Sequence, residues 1–213
     1  MTFFPGALTF LQFALATAVL ALTPGPDMTL FVGRAISEGR AAGLACMAGA
    51  FTGIVIHTLL VAFGLSALIA ASPAAFGALK TAGAIYLVWL ALQAVRVGSA
   101  FSPDTAKRRS AGLLANWATG VGINLLNPKI VLFFMTFLPQ FVVADDPHAR
   151  GKLVFLGLSF IALSIPLTVP LVLAADRFAG LLRRNPRLTR LVDWAFAGVF
   201  SAFALKLLVS EDR

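Results

Sequence analysis

Charged residues are scarce in this sequence. Asp, Glu, Lys and Arg make up 12% of its 213 residues, whereas 59% are hydrophobic. Soluble domains carry about 25% charged residues, so the composition predicts an integral membrane protein. No Lys or Arg precedes the first apolar run, and we therefore expect no cleaved signal peptide.

Cysteine and histidine are also scarce. Cys46 is the only cysteine, which excludes an intrachain disulfide and dithiol chemistry. The sequence contains no Ser/His/Asp arrangement and no metal-binding spacing, so we expect no catalytic site, no metal site and no cofactor. The formal charge of +8 raises nucleic-acid binding as an alternative. Because the basic residues lie between apolar segments, we expect no nucleic acid and interpret them as signals of membrane topology.

Two prolines interrupt the first long apolar run. Pro24 and Pro26 flank Gly25, and neither proline fits a regular helix interior, because proline lacks the N–H donor and clashes with the preceding turn. Residues 9–22 are too few to cross a bilayer alone, since crossing needs about 20 residues. The pattern therefore predicts one spanning element made of two half-helices. Asp27 is expected in the first turn of the second half-helix, where the helix dipole favours negative charge.

A second break of the same kind occurs about half a chain later. Asn127, Pro128 and Lys129 separate two further apolar segments. When Pro128 is aligned with Pro26, Lys129 falls on the position of Asp27. Proline-interrupted hydrophobic segments at matching positions of two halves are the best sequence-level indication of a transporter binding site.

These patterns predict an all-α integral membrane protein with a single transmembrane transporter domain over residues 1–213. Six transmembrane helices form two three-helix repeats, at about 1–100 and about 110–213, and helices 1 and 4 are broken at the Pro motifs. Three is an odd number, so the second repeat has to insert inverted relative to the first. The expected spans are 9–36, 43–70, 74–95, 113–141, 153–175 and 188–209.

The distribution of Lys and Arg predicts the orientation. Eleven basic residues fall in the first, third and fifth loops and five on the opposite side. Cytoplasmic loops carry the excess of Lys and Arg, so we expect both termini outside. Lys129 is the one basic residue left over from this count, and it falls inside a span.

Asp27 and Lys129 are charged residues at membrane depth. A charge there costs at least ~2.5–3.5 kcal/mol in contact with lipid, so each side chain should face protein or water. An inverted repeat would bring the two positions together near the midplane. We interpret them as a gated pair that borders a substrate and proton pathway; the alternative is a structural ion pair that locks two broken helices.

The half-helix starts predict an anion site. Unpaired N–H groups after Pro26 and Pro128 favour a substrate carboxylate, and Gly25 allows close backbone approach. Pro24 and Pro26 also free carbonyl groups that accept hydrogen bonds. Asn127 is a candidate pathway residue whose alternative role is to cap the second half-helix.

Further polar residues share helix faces with these breaks. Asn116, Asn124 and Asn127 follow helical spacing on the fourth span, which predicts a pathway lining; the alternative is hydrogen bonding between neighbouring helices. His57, on the second span, is a candidate proton relay, and a packing role is the alternative.

These motifs resemble those of the lysine exporter/homoserine–threonine exporter (LysE/RhtB) family, over nearly the whole chain. The resemblance implies an exporter of amino acids or close derivatives in the bacterial inner membrane, driven by the proton motive force. The matching motifs are Leu22-Thr23-Pro24-Gly25-Pro26-Asp27, Gly39-Arg40-Ala41-Ala42-Gly43-Leu44, Ala84-Ile85-Tyr86-Leu87-Val88-Trp89-Leu90, Asn124-Leu125-Leu126-Asn127-Pro128-Lys129 and Phe137-Leu138-Pro139-Gln140-Phe141.

The expected partners are a small amino-acid substrate, protons and the lipid bilayer, and the sequence leaves a homo-oligomer open. An exporter of heavy metals or of another small solute from the same superfamily is the alternative function. A metal exporter would need more soft or acidic ligands within its spans than Cys46, His57 and Asp27 supply.

Overall fold

The computed structural model describes residues 6–65, 111–142 and 146–185, with isolated positions between 81 and 109 and between 187 and 202. All regular structure in these parts is helical, as predicted. The predicted spans 74–95 and 188–209 lie outside the described residues, apart from those isolated positions. The helices are α1 (Ala7–Leu22), α2 (Pro26–Ser37), α3 (Arg40–Leu59), α4 (Leu113–Leu126), α5 (Pro128–Leu132), α6 (Ala149–Leu173) and α7 (Ala175–Arg184).

Proline chemistry accounts for the boundary between α1 and α2. α1 ends at Leu22, and α2 begins with Pro26 in its first turn, where the missing N–H has no intrahelical partner to lose. Asp27 lies in the same turn. The two helices are bent by 50° at the break.

The boundary between α4 and α5 has the same chemistry with an added cap. Asn127 precedes Pro128, and its side chain accepts a hydrogen bond from the backbone N–H of Lys129 at 3.1 Å. The two helical segments are bent by 57°. α5 continues as a π-helix over Phe133–Phe137 and a 3₁₀ turn over Leu138–Phe141, so this half-helix is less regular than α2.

Two of the helices are long and apolar enough to cross a membrane by themselves. They are α6 and the combination of α3 with the π-helical turn that extends it, Arg40–Gly64. The number of candidate spans among the described residues rises to four if each bent pair crosses as one unit. That each bent pair forms a single span stays a prediction.

Glycines allow α3 and α4 to pack backbone against backbone. A Cβ atom on Gly49 would lie 2.0 Å from the carbonyl oxygen of Trp117, and one on Gly120 would lie 1.9 Å from that of Cys46. Neither carbonyl can move without moving its helix. Small residues at such crossings let membrane helices approach closely, so α3 and α4 form one closely packed pair.

Phenylalanine rings fill the space between the breaks and the end of the molecule at which α1 and α6 begin. Ring centroids lie 4.7 Å apart for Phe133 and Phe137, and 5.4 Å apart for Phe13 and Phe141. Four of the side chains have no exposed surface. This aromatic cluster consists of Phe13, Phe133, Phe134, Phe137, Phe141 and Phe160.

The sequence interpretation missed α7. It ended the fifth span at 175 and counted the following arginines as part of the fifth loop, but residues 175–184 form a strongly amphipathic helix. Ala175 and Ala179 are buried in a cluster with Val32 and Ile36 of α2. Asn185, which lies between the predicted fifth and sixth spans, is the C-cap of α7.

A polar contact marks the start of α6. The Asp146 carboxylate accepts hydrogen bonds from the Lys152 ammonium and, at 2.8 Å, from the backbone N–H of His148. Both donors favour the ionised form and hold the pKa of Asp146 below its usual range. α6 then continues through Pro166 and Pro170 without a boundary.

Candidate functional site

Lys129 reaches across the molecule to the end of α1. Its Nζ donates hydrogen bonds to the carbonyl oxygens of Thr23 at 2.9 Å and Leu20 at 3.1 Å. The last carbonyls of a helix have no intrahelical partner, and the helix dipole makes this end negative. The ammonium therefore caps the first broken helix from the second.

Gly25 provides the room for this contact. A Cβ atom at Gly25 would lie 3.3 Å from Lys129 Nζ, closer than an ordinary contact. The backbone of Gly25 is extended, a conformation open to any residue. A side chain at Gly25 would therefore require the Lys129 ammonium to shift by a few tenths of an ångström.

Asp27 makes the reciprocal contact. Its Oδ2 accepts a hydrogen bond of 2.7 Å from Nδ2 of Asn124, and Asn124 lies in the last turn of α4. The charged residue that follows each break thus binds the helix that precedes the other break. These two contacts hold the two breaks next to each other. An inverted repeat would require the same proximity.

A cavity lies at this place. Water centres can occupy a volume of about 60 Å³ inside it. This is room for roughly four to six waters. Hydrophobic side chains form most of its wall. Its polar lining consists of Thr23, Asp27, Asn127 and Lys129 at the breaks and Ser164 and Thr168 on α6.

Three of the lining side chains have a buried polar atom that finds no hydrogen-bond partner among the described residues. They are Oδ1 of Asp27, Nδ2 of Asn127 and Oγ of Ser164. A buried polar atom without a partner costs about 1–3 kcal/mol, and such atoms are uncommon in folded proteins. A carboxylate oxygen accepts hydrogen bonds, an amide nitrogen donates them, and a hydroxyl does both. Together they offer a polar ligand both kinds of hydrogen bond.

Of the other predicted site residues, some lie at the breaks and some lie away from the cavity. Pro24 and Pro26 shape the first break. Asn116 lies on the same buried face of α4 as Asn124, but its Nδ2 donates to Glu38 Oε2 at 3.1 Å, at the far end of α2. Asn116 does not line the cavity.

His57 lies next to the site but outside the cavity wall. Its Nε2 is 3.5 Å from the carbonyl oxygen of Asn124, and its ring packs 6.0 Å from that of Phe134. The side chain is buried but does not line the cavity. It contacts the backbone that carries Asn124, which binds Asp27.

Sequence reasoning missed three residues of these networks. Ser164 and Thr168 are one helical turn apart in an otherwise apolar stretch of α6, and this spacing is a signal that a search for small polar residues would have found. Glu38 carries no such signal. Its partners Arg34, Asn116 and the backbone N–H of Ala111 come from two helices and a distant segment.

A cavity lined by opposite charges, between helices apolar enough for a membrane, is typical of a membrane transporter. The sequence model of the family described as LysE type translocator matches residues 18–211. The chain belongs to this family of amino-acid efflux transporters, whose members are transporters and not enzymes.

Similar proteins occur in several bacteria. The homoserine/homoserine lactone efflux protein of Salmonella typhimurium is 32% identical over 88% of this chain and 90% of its own length. The leucine efflux protein of Klebsiella pneumoniae is 27% identical over 97% and 98%. An uncharacterized membrane protein of Vibrio cholerae is 30% identical over 95% and 97%. No solved structure matches the sequence with comparable significance.

We predict that Gly53→Ala disturbs the site through Asn124. The new Cβ atom would lie 2.5 Å from Asn124 Oδ1 and 3.0 Å from its Cβ, so Asn124 has to move and release Asp27. A hydrogen bond to a charged group contributes about 1.5–3 kcal/mol, and we expect a stability loss of that order in thermal unfolding of the detergent-purified protein.

Two comparisons test this explanation. Gly122→Ala on α4 is the matched control, because its Cβ would meet nothing within 4 Å. Gly53→Ala and Asn124→Ala combined should cost less than the sum of the two single losses, because both remove the same hydrogen bond. Strictly additive losses would contradict the coupling.

Proposed function

We propose that this protein exports small zwitterionic amino acids, and that the substrate binds in the cavity where the two helix breaks meet. The observation that carries the proposal is the neighbouring pair of side chains Asp27 and Asn127 on the cavity wall, whose buried Oδ1 and Nδ2 atoms make no hydrogen bond of ordinary geometry within the described residues. They supply an acceptor for an ammonium group and a donor for a carboxylate.

The start of α2 supports the carboxylate half of this site. No side chain of the described residues caps this helix end, so its first N–H groups are available to an anion. Gly25, Asp27 and Met28, which form this end, line the cavity. The Lys129 ammonium, on the same wall, adds positive charge.

The size of the cavity fits the polar part of an amino acid. Space for roughly four to six waters corresponds to the ammonium, α-carbon and carboxylate groups, which contain five non-hydrogen atoms. The surrounding wall is apolar and includes Met28, Phe31, Ile54 and Phe160. The relatives act on homoserine and its lactone and on leucine, as their names state, and this range supports amino acids as a class.

We further propose that export is coupled to proton entry through Asp27. Its carboxylate interacts with Asn124 and shares the cavity wall with Lys129. The proton affinity of a carboxylate depends on nearby cations and on hydration. Movement of the Lys129 ammonium between the α1 carbonyls and Asp27 would therefore switch Asp27 between proton binding and release.

The membrane arrangement is part of the proposal. Six spans in the bacterial inner membrane, related as two inverted repeats, place the loops with eleven basic residues in the cytoplasm and both termini outside. The reciprocal contacts at the breaks support the repeat relation. A reporter fused after Arg213 should be active only outside the cytoplasm; cytoplasmic activity would contradict this orientation.

Proteoliposomes loaded with labelled amino acids test transport and coupling together. We expect efflux against a concentration gradient when an inward proton gradient is imposed, because proton entry supplies the free energy. Efflux that only equilibrates, with and without the gradient, would contradict coupling. No efflux of any amino acid would contradict the proposed function.

The charged residues at the breaks should be essential for transport. We predict that Asp27→Asn and Lys129→Met each reduce efflux at least about tenfold, the effect of losing roughly 1.4 kcal/mol of interaction, while the protein remains in the membrane. The assay is efflux from reconstituted vesicles with equal amounts of protein. Asp176→Asn and Arg184→Met are matched controls, since both charges are exposed on α7.

If both variants transport at the parent rate, Asp27 and Lys129 have a structural role only. A double variant with exchanged charges, Asp27→Lys with Lys129→Asp, tests their mutual interaction, because partial rescue relative to the single changes reveals a coupling energy.

A further inference from the structure

Ser164 carries a buried hydroxyl that lacks a partner in the part of the chain that the structure describes. The residue is 2% exposed, its Oγ makes no hydrogen bond to any described residue, and it lines the cavity. Serine in a helix commonly donates its proton to the carbonyl one turn earlier. Thr168, one turn later, does this: its Oγ1 lies 2.9 Å from the carbonyl oxygen of Ser164. The Ser164 hydroxyl makes no such bond.

The polar lining of the cavity falls into two separate groups. One group lies at the helix breaks and includes Asp27, Asn127 and Lys129; the other is the pair Ser164 and Thr168 on α6. Hydrophobic side chains such as Met28, Ile54 and Phe160 form most of the remaining wall. An amino acid whose charged groups occupy the breaks has one part left for α6 to contact, its side chain.

We infer that the Ser164 hydroxyl forms a hydrogen bond with the substrate's side chain and thereby selects amino acids with a short side chain bearing a hydroxyl or carbonyl oxygen. This inference rests on the proposed function, since it requires the charged groups at the breaks. A ligand that cannot bind Ser164 leaves its hydroxyl buried without a partner, which is costly. Sites built around a hydroxyl reject substrates that lack one for this reason.

Pairs of substrates that differ only by a hydroxyl in place of a methyl group test the inference. Homoserine and norvaline form one pair, and threonine and valine form another. In proteoliposomes the unmodified protein should transport the hydroxyl member of at least one pair about 3- to 10-fold faster at limiting concentration, the effect of one neutral hydrogen bond. Ser164→Ala should slow transport of the hydroxyl member relative to its aliphatic counterpart and so remove most of this preference.

Thr17→Val is the matched control. Thr17 is fully buried on α1, its Oγ1 has no partner, and it does not line the cavity. The change removes a buried hydroxyl without altering side-chain size and should leave the substrate preference unchanged. The same loss of preference in Thr17→Val as in Ser164→Ala would overturn the assignment of Ser164.

Two readouts keep the inference separate from protein folding and from the proposed function. The preference of the unmodified protein requires no variant, and Ser164→Thr, which keeps a hydroxyl, should retain it. Equal transport of both members of each pair by the unmodified protein would overturn this inference alone. Absence of all amino-acid transport would overturn the proposed function as well.

Discussion

The contact between the Lys129 ammonium and the last carbonyls of α1 holds this structure together at its centre. A broken helix exposes backbone groups that no lipid can satisfy. Here the carbonyl oxygens of Leu20 and Thr23 accept from Lys129, and the charge finds polar surroundings in return. Burying the Lys129 ammonium without these carbonyl groups, or the carbonyl groups without the ammonium, would cost free energy in a membrane. This mutual requirement explains why the break in one half lies against the break in the other.

The two helix breaks are alike in chemistry, but the helical segments that follow them differ in regularity. α2 is a continuous α-helix, whereas its counterpart changes to a π-helix after five residues. Short π-helical segments occur frequently at functional sites. This one lies among the phenylalanines of the aromatic cluster, on the opposite side of the breaks from α7. By contrast, α3 and α4 pack so closely at Gly49 and Gly120 that they have little freedom to slide past each other.

The sequence was sufficient to place the helix starts at Pro26 and Pro128 and the charges beside them, because proline acts locally and the effect needs no knowledge of the fold. The partners of those charges were not predictable. Asp27 binds Asn124, and Lys129 binds carbonyl groups, since the packing of four helical segments decides which groups meet. α7 was missed because its arginines were counted as loop residues, and among its described side chains the buried ones are two alanines, Ala175 and Ala179. Asn116 lies on the predicted face, but its side chain binds Glu38 and does not line the cavity.

The aromatic cluster has a consequence for electrical insulation. Protons cross proteins along chains of water or polar side chains, and four rings of this cluster have no surface open to water. Phe160 belongs to both the cluster and the cavity wall, so the insulating region begins where the polar site ends. Under the proposed arrangement in the inner membrane, a proton gradient would fall across this hydrocarbon layer, which is a few rings thick. The protein thus limits the leak of charge that an open polar pathway would cause.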